Sequence, residues 1–238
     1  MKPYGKLYLL PSPLGDNDPA EVIPAPVLEL LKGIDTYVVE ELRTVRRYLS
    51  RAGLKGHVDA LHLTELNEHT TKAEVEAMAA LFEEGQSVGL ITEAGLPAVA
   101  DPGSALVALC HRQGIRVVPF VGPSSLMMAL MGSGLNGQSF AFLGYLPAKT
   151  DERRAAIKTI EKQSAAQHQT QIFIETPYRN DAMMEDLLRI CAPGTRLCIA
   201  ADITLPEETI LTRAIAQWRK NPLTLGKRPC VFLILAQK

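Results

Sequence analysis

Apolar positions in the first half of the chain fall into short compact runs separated by stretches with helical spacing. Lys6–Leu10, Thr36–Val39, Ser87–Thr92 and Ile115–Phe120 are apolar or β-branched runs, the pattern of strands covered on both faces. Val27–Lys32 and Leu42–Arg51 repeat apolar residues at helical intervals, with Gly53 beyond the second. Thr71-x-x-Glu74 is a capping box, predicting a helix that buries Val75, Met78, Leu81 and Phe82 and ends at Gly85. Ser104–Gln113 reads as a helix closed by Gly114. Strands alternating with helices in this way predict a parallel sheet with right-handed crossovers.

The Gly-, Ser- and Asn-rich stretch Gly132–Gln138 is the expected boundary, giving domains over residues 1–135 and 136–238. Beyond it, Phe140–Tyr145, Gln171–Ile174, Arg196–Ala201 and Cys230–Leu235 have strand character, and Asp151–Lys162, Ala182–Cys191 and Ala214–Lys220 suit helices. The expected fold class is α/β, two α/β domains in tandem, the first a parallel sheet with Rossmann-like winding. Periodicity does not fix the strand pairing of the second.

Composition narrows the functional classes. Apolar residues make up 47 % and charged ones 21 %, and no apolar run is long enough to cross a membrane, so neither membrane insertion nor membrane binding is expected. The run Leu7–Leu10 is too short for a signal-peptide core, which points to the cytoplasm. Cys110, Cys191, Cys198 and Cys230 lie far apart and read as free buried thiols. His57, His62, His69, His111 and His168 lack metal-ligand spacing, so no intrinsic metal is expected. A net charge of −1 argues mildly against nucleic acid. Two local stripes pull the other way: Arg43, Arg46, Arg47 and Arg51 on one helix, and Arg153, Arg154, Lys158 and Lys162 on another. Either stripe suits phosphate contacts or a solvated helix face. Met127, Met128 and Met131 have the spacing of packing or dimer contacts.

Three strand ends are rich in proline and glycine. They are Pro11-Ser12-Pro13-Leu14-Gly15-Asp16, the eleven residues Glu93–Gly103, and Val121-Gly122-Pro123-Ser124-Ser125. Ligands of open parallel sheets bind at such ends. Neither a Gly-x-Gly-x-x-Gly fingerprint nor a P-loop is present, which counts against nicotinamide dinucleotides and nucleoside triphosphates. Ser124 and Ser125 at a helix start suit a carboxylate. A ligand with a carboxylate, an amine and an adenosine fits such a cleft.

These residues carry a resemblance. Glu93-Ala-Gly-Leu-Pro-Ala-Val-Ala-Asp-Pro-Gly103 is similar to the Asp-Ala-Gly-Thr-Pro-x-x-Ser-Asp-Pro-Gly loop of the tetrapyrrole methylase superfamily. Ser12–Gly15, Glu40–Arg43, Asn67-Glu68, Gly122–Ser125, Gly144–Lys149, Glu152–Arg154 and Glu175–Arg179 resemble, in order, motifs of its small-subunit ribosomal RNA ribose-2′-O-methyltransferase I branch. The resemblance implies a class III methyltransferase using S-adenosylmethionine, a mixed C-terminal sheet, a cofactor cleft between the domains and a homodimer. It implies cofactor contacts from Pro11, Ser12, Pro13, Glu93, Gly95, Leu96, Pro97, Val99, Ser124, Ser125, Thr176, Pro177, Arg228 and Pro229. RNA, not DNA, is the macromolecular partner it points to. The small C-terminal extension of many RNA-modifying members is expected to be lacking.

Methyl transfer from a sulfonium releases a neutral thioether, so catalysis is mainly alignment. A ribose hydroxyl also needs a proton acceptor or polarising partner, for which Glu40, Glu41, Arg43, Asn67 and Glu68 are candidates. Substrate-side motifs depart from the branch. Glu-Asp-Thr-Arg-His-Thr becomes Glu40-Glu-Leu-Arg-Thr-Val45, and His-Glu-His-Asn-Glu becomes Thr64-Glu-Leu-Asn-Glu68. A tetrapyrrole or other small nucleophile, or a non-catalytic sensor of an adenosyl ligand, therefore stands beside the RNA reading.

Overall fold

The computed structural model describes residues 4–237. The chain divides into two compact units, Met1–Ser124 and Ser125–Lys238. In the first, the elements run β1 (Lys6–Leu9), α1 (Pro19–Val22), α2 (Ala25–Leu31), β2 (Thr36–Val39), α3 (Leu42–Leu49), β3 (His62–Glu65), α4 (Lys72–Ala77), β4 (Val88–Ile91), α5 (Gly103–Arg112) and β5 (Arg116–Pro119). The strands form one parallel sheet in the order β3-β2-β4-β1-β5.

Alternation along the strands gives each face its own core. Tyr37, Val39 and Ile91 pack with Val27, Leu31, Val45 and Leu49 of α2 and α3. Val38, Val88 and Leu90 pack with Val75, Leu106 and Leu109 of α4 and α5. Each fully buried aliphatic side chain contributes about 1.5–3 kcal/mol. Both faces being covered explains why β2 and β4 read as unbroken apolar runs.

The Thr71–Glu74 capping box forms, with Thr71 N–H donating to Glu74 at 2.7 Å and Glu74 N–H to Thr71 Oγ1 at 3.3 Å. The predicted helix does not run on to Phe82. After Ala77 the chain tightens into 3₁₀ turns over Met78–Gly85, with Glu84 left-handed at φ 58° and Gly85 at φ 82°. Met78 and Phe82 remain buried, and Phe82 C=O accepts from Gly5 N–H at 3.0 Å, which fixes where the chain turns.

The second unit contains α6 (Ser125–Ser133), β6 (Phe140–Tyr145), α7 (Thr150–Gln167), β7 (Thr170–Ile174), α8 (Asn180–Ile190), β8 (Arg196–Ala201), β9 (Thr209–Ala214), α9 (Ile215–Lys220) and β10 (Cys230–Leu235). Its mixed sheet has the order β6-β7-β10-β8-β9, with β6 and β7 parallel and the remaining pairs antiparallel. Phe173 stacks on Phe232 at 5.6 Å between centroids, and Trp218, fully buried, donates to Leu197 C=O at 2.9 Å. The division between the units falls after Ser124, ahead of the expected position 135, because α6 packs on β8, β9 and β10.

Arg153 is buried. Its Nε donates to Asp186 at 2.8 Å, and Arg154 Nε donates to the other oxygen at 2.6 Å. Burial pushes the Asp186 carboxyl up, but the hydrogen bonds and charges of Arg154 and Arg153 outweigh it and hold it low. Two members of the second basic stripe thus clamp α7 to α8 instead of facing a phosphate. All four cysteines are free and buried. No helix among the described residues is long and apolar enough to cross a membrane.

Candidate functional site

The sheet order aligns the expected site residues of the first unit along its carboxyl edge, with Asn67 after β3, Glu40 and Glu41 after β2, Glu93 after β4, Ser12 after β1 and Gly122 after β5. The three proline- and glycine-rich loops are joined there. Ser12 and Gly95 exchange backbone hydrogen bonds of 2.9 and 3.1 Å, and Ser12 Oγ donates to Thr92 C=O at 3.0 Å. Tyr48 hydroxyl reaches from α3 to donate to Pro11 C=O at 2.9 Å. The third loop presses on the first so closely that a Cβ on Gly122 would lie 2.1 Å from Pro11 Cβ. Gly95 has φ +80°, a left-handed backbone that any side chain would strain, and a Cβ there would also lie 3.1 Å from Leu14 Cδ2.

Backbone strain is concentrated in the same loop. Ala98 and Ala100 are left-handed at φ 65° and 61°, a conformation alanine adopts at a cost of order 1–3 kcal/mol. Asp101 compensates by accepting from Val99 N–H at 3.2 Å and Gly103 N–H at 2.6 Å. Burial raises the Asp101 carboxyl above its ordinary value, against the Gly103 hydrogen bond and with the help of Glu40. Glu93 is raised too, first by desolvation and then by Glu40 and Glu41. Glu40 accepts from Glu93 N–H at 3.1 Å. The rim of the loops is accordingly negative, an environment that favours a sulfonium or ammonium group.

Pro11, Ser12, Pro13, Gly95 and Pro97 are buried, Leu96 and Ser124 are half-buried, and Glu93 and Val99 are exposed. Thr92 Oγ1 is buried at the end of β4 with no hydrogen-bond partner. An orphaned hydroxyl beside stiff, carbonyl-rich loops fits a polar ligand that completes it. Nothing in the sequence singles out Thr92, because a threonine closing an apolar run looks like an ordinary strand residue. Among the described residues no group of three or more His, Cys, Asp or Glu side chains is placed to hold a metal ion.

In the second unit, Thr176 and Pro177 follow β7, and Arg228 and Pro229 precede β10, its antiparallel neighbour, so both segments lie at one edge of that sheet. Asn180 Nδ2 ties them by donating to Arg228 C=O at 2.7 Å. Glu175 accepts from Arg179 Nε at 2.9 Å, while Glu175 Oε2 and Asn180 Oδ1 are buried without partners. Arg228 is held by Asp202 and by Glu207 C=O. Ser125 opens α6.

The acceptor-side candidates are more scattered in role. Both oxygens of Glu41 cap α3, taking Arg43 N–H at 3.0 Å and Thr44 N–H at 2.6 Å. Hydrogen bonds from Thr44, then from Arg43, hold the Glu41 carboxyl below its ordinary value. Its carboxylate is therefore committed to positioning the helix. Asn67 Oδ1 accepts from His69 N–H at 3.0 Å, and Glu68 is exposed beside His69. On α3 Arg46 pairs with Asp59, and just beyond it Arg51 pairs with Asp16, whereas exposed Arg43 and Arg47 of α3 form no ion pair among the described residues. Of the positions that depart from the resembled motifs, Val45 and Leu66 are buried in the core, and Leu42, Thr44 and Thr64 are half-buried.

Residues 6–217 match the family model of tetrapyrrole (corrin/porphyrin) methylases. A ribosomal RNA small subunit methyltransferase I from Escherichia coli O157:H7 is 32 % identical over 237 residues, covering 98 % of this chain and 79 % of that protein. Its namesake from Neisseria meningitidis serogroup B is 32 % identical, covering 90 % and 69 %. In fold, the chain is similar to a uroporphyrin-III C-methyltransferase from Thermus thermophilus, crystallised with S-adenosylhomocysteine. The TM-score is 0.60 at 18 % identity, over 97 % of each chain. The chain belongs to the tetrapyrrole methylase family, and it is a methyltransferase that uses S-adenosylmethionine.

Proposed function

We propose that the methyl acceptor is RNA, specifically a ribose 2′-hydroxyl of small-subunit ribosomal RNA. The observation that carries this reading is the similarity, along almost the whole chain, to relatives named for that RNA. Arg43 and Arg47, exposed and without an ion pair among the described residues, support it as phosphate contacts.

Bound S-adenosylmethionine supplies an electrophilic methyl group whose sulfonium departs as a neutral thioether. In this reading Pro11, Ser12, Pro13, Gly95, Leu96, Pro97, Val99, Ser124 and Ser125 bind and orient the cofactor, and Thr92 hydroxyl finds its missing partner there. Glu93, with Glu40 and Asp101, provides negative charge for the cofactor's cationic groups. Thr176, Pro177, Arg228 and Pro229 are cofactor contacts in this reading as well. Catalysis rests on alignment. Glu68 takes the hydroxyl proton, Asn67 and Arg43 orient the nucleotide, and Glu41 holds the start of α3. The reading also makes the protein a cytoplasmic homodimer, which exposed Met131 on α6 supports.

Mapping ribose methylation in RNA from cells lacking the protein tests the acceptor. The expected result is loss of a single 2′-O-methyl group from small-subunit ribosomal RNA. An unchanged map overturns the acceptor and turns attention to a small nucleophile, leaving the cofactor in place.

A further inference from the structure

A cavity of about 420 Å³ opens at the carboxyl end of β3 and shares no residue with the three loops. Its apolar lining is Ala77, Met78 and Leu81, and its polar lining includes Glu65, Asn67 and His69. Neither lysine nor arginine lines it. Much of the polar rim is already committed. Glu74 is consumed by Thr71, Thr70 Oγ1 accepts from Asn67 N–H at 3.0 Å, and Asn67 Oδ1 accepts from His69 N–H. Glu65 is not: its carboxylate is exposed and forms no ion pair among the described residues.

This arrangement is poor for a phosphate, which would meet the carboxylates of Glu65 and Glu74 with no lysine or arginine, and only His69 beside them. It is right for a flat group that lays its face on methionine and leucine and offers an N–H donor to Glu65. Nucleobases splayed out of single-stranded RNA have that shape, and they are read through their edges. Cytosine, adenine and guanine each carry an exocyclic amine, whereas uracil carries none.

We propose that the cavity is a nucleobase pocket. It receives an amine-bearing base of the RNA substrate, with Glu65 accepting from the exocyclic amine and Met78 and Leu81 packing on the ring. The inference rests on the RNA reading for its ligand, but it has its own test.

Ala77 and Glu65 are exposed, so Ala77→Trp fills the cavity and Glu65→Gln removes the charge without disturbing the core. Saturation-transfer NMR with cytidine, adenosine and uridine reads the pocket directly. Cytidine and adenosine should bind the wild type, uridine should do so weakly, and Ala77→Trp should abolish all binding. With small-subunit RNA as substrate, Ala77→Trp should lower kcat/KM about tenfold, the order of one base interaction. Its affinity for S-adenosylmethionine should stay unchanged. Glu65→Gln should narrow the gap between cytidine and uridine. Equal binding of all three nucleosides to wild type and Ala77→Trp, or no binding at all, overturns the pocket even if RNA is methylated. Nucleoside binding that disappears in Ala77→Trp, with no RNA methylated by the wild type, upholds the pocket and overturns the RNA reading.

Discussion

Helix α3 with the turn that follows it, and helix α7, each present four cationic side chains, and the protein uses the two sets in opposite ways. On α7, Arg153 is 5 % exposed and shares Asp186 with Arg154, while Lys158 and Lys162 remain in solvent. On α3 and the turn that follows it, all four arginines are exposed; two engage surface aspartates and two form no ion pair among the described residues. The difference lies in the partners. Asp186 is only 4 % exposed on its side chain, so the α7 pair sits where charge is poorly screened, whereas Asp59 is 92 % exposed. A cation on a helix acquires its role from what faces it, and burial decides how much that role weighs.

The largest effect expected from this contrast is on stability. Asp186→Asn leaves buried Arg153 without its counter-charge and should cost about 3–5 kcal/mol in a urea titration. Asp59→Asn, breaking an exposed pair, should cost at most about 1 kcal/mol. Equal losses would erase the distinction between the helices. Acid sharpens it further. The Asp186 carboxyl titrates lower in the folded chain than in the unfolded one, so its contribution is fully present above the unfolded value of about 3.9. It is lost as pH falls through the folded value, and wild type and Asp186→Asn should converge in stability there.

An intermediate effect is expected in RNA binding. Replacing Arg43 and Arg47 with alanine should weaken RNA affinity and reduce the salt slope by roughly 0.7–0.9 for each phosphate no longer neutralised. The same change at Lys158 and Lys162 should leave the slope nearer wild type. The smallest effect concerns Glu93. Its raised carboxyl protonates earlier on acidification, so cofactor affinity in calorimetry should decline as pH falls through that raised value. Glu93→Gln should bind about two- to fivefold more weakly at neutral pH, as befits an exposed charge, and should not share the decline.

Strands buried on both faces were legible from the sequence: Thr36–Val39, Arg196–Ala201 and Cys230–Leu235 form as read. The edge strands β3 and β9 were not. β9 is half-buried at all six positions, and both ends of β3 are exposed, so neither shows an apolar run or a clean alternation. The loops at the carboxyl edge were legible because proline and glycine have few uses other than setting backbone direction. What knits the loops together was hidden, since the Ser12–Gly95 bridge and the Tyr48–Pro11 hydrogen bond join residues separated by more than thirty positions. Roles set by a distant partner escaped for the same reason, as Arg153 on Asp186 illustrates.

Whether the joined loops hold S-adenosylmethionine is tested most directly by calorimetry with that cofactor. The wild-type protein should bind it saturably, and Gly122→Ala, whose new Cβ would force Pro11 away, should lose most of that affinity while the α7–α8 clamp keeps the second unit folded. Absence of binding heat in the wild type, or equal affinity in Gly122→Ala, would contradict a cofactor site built on these loops.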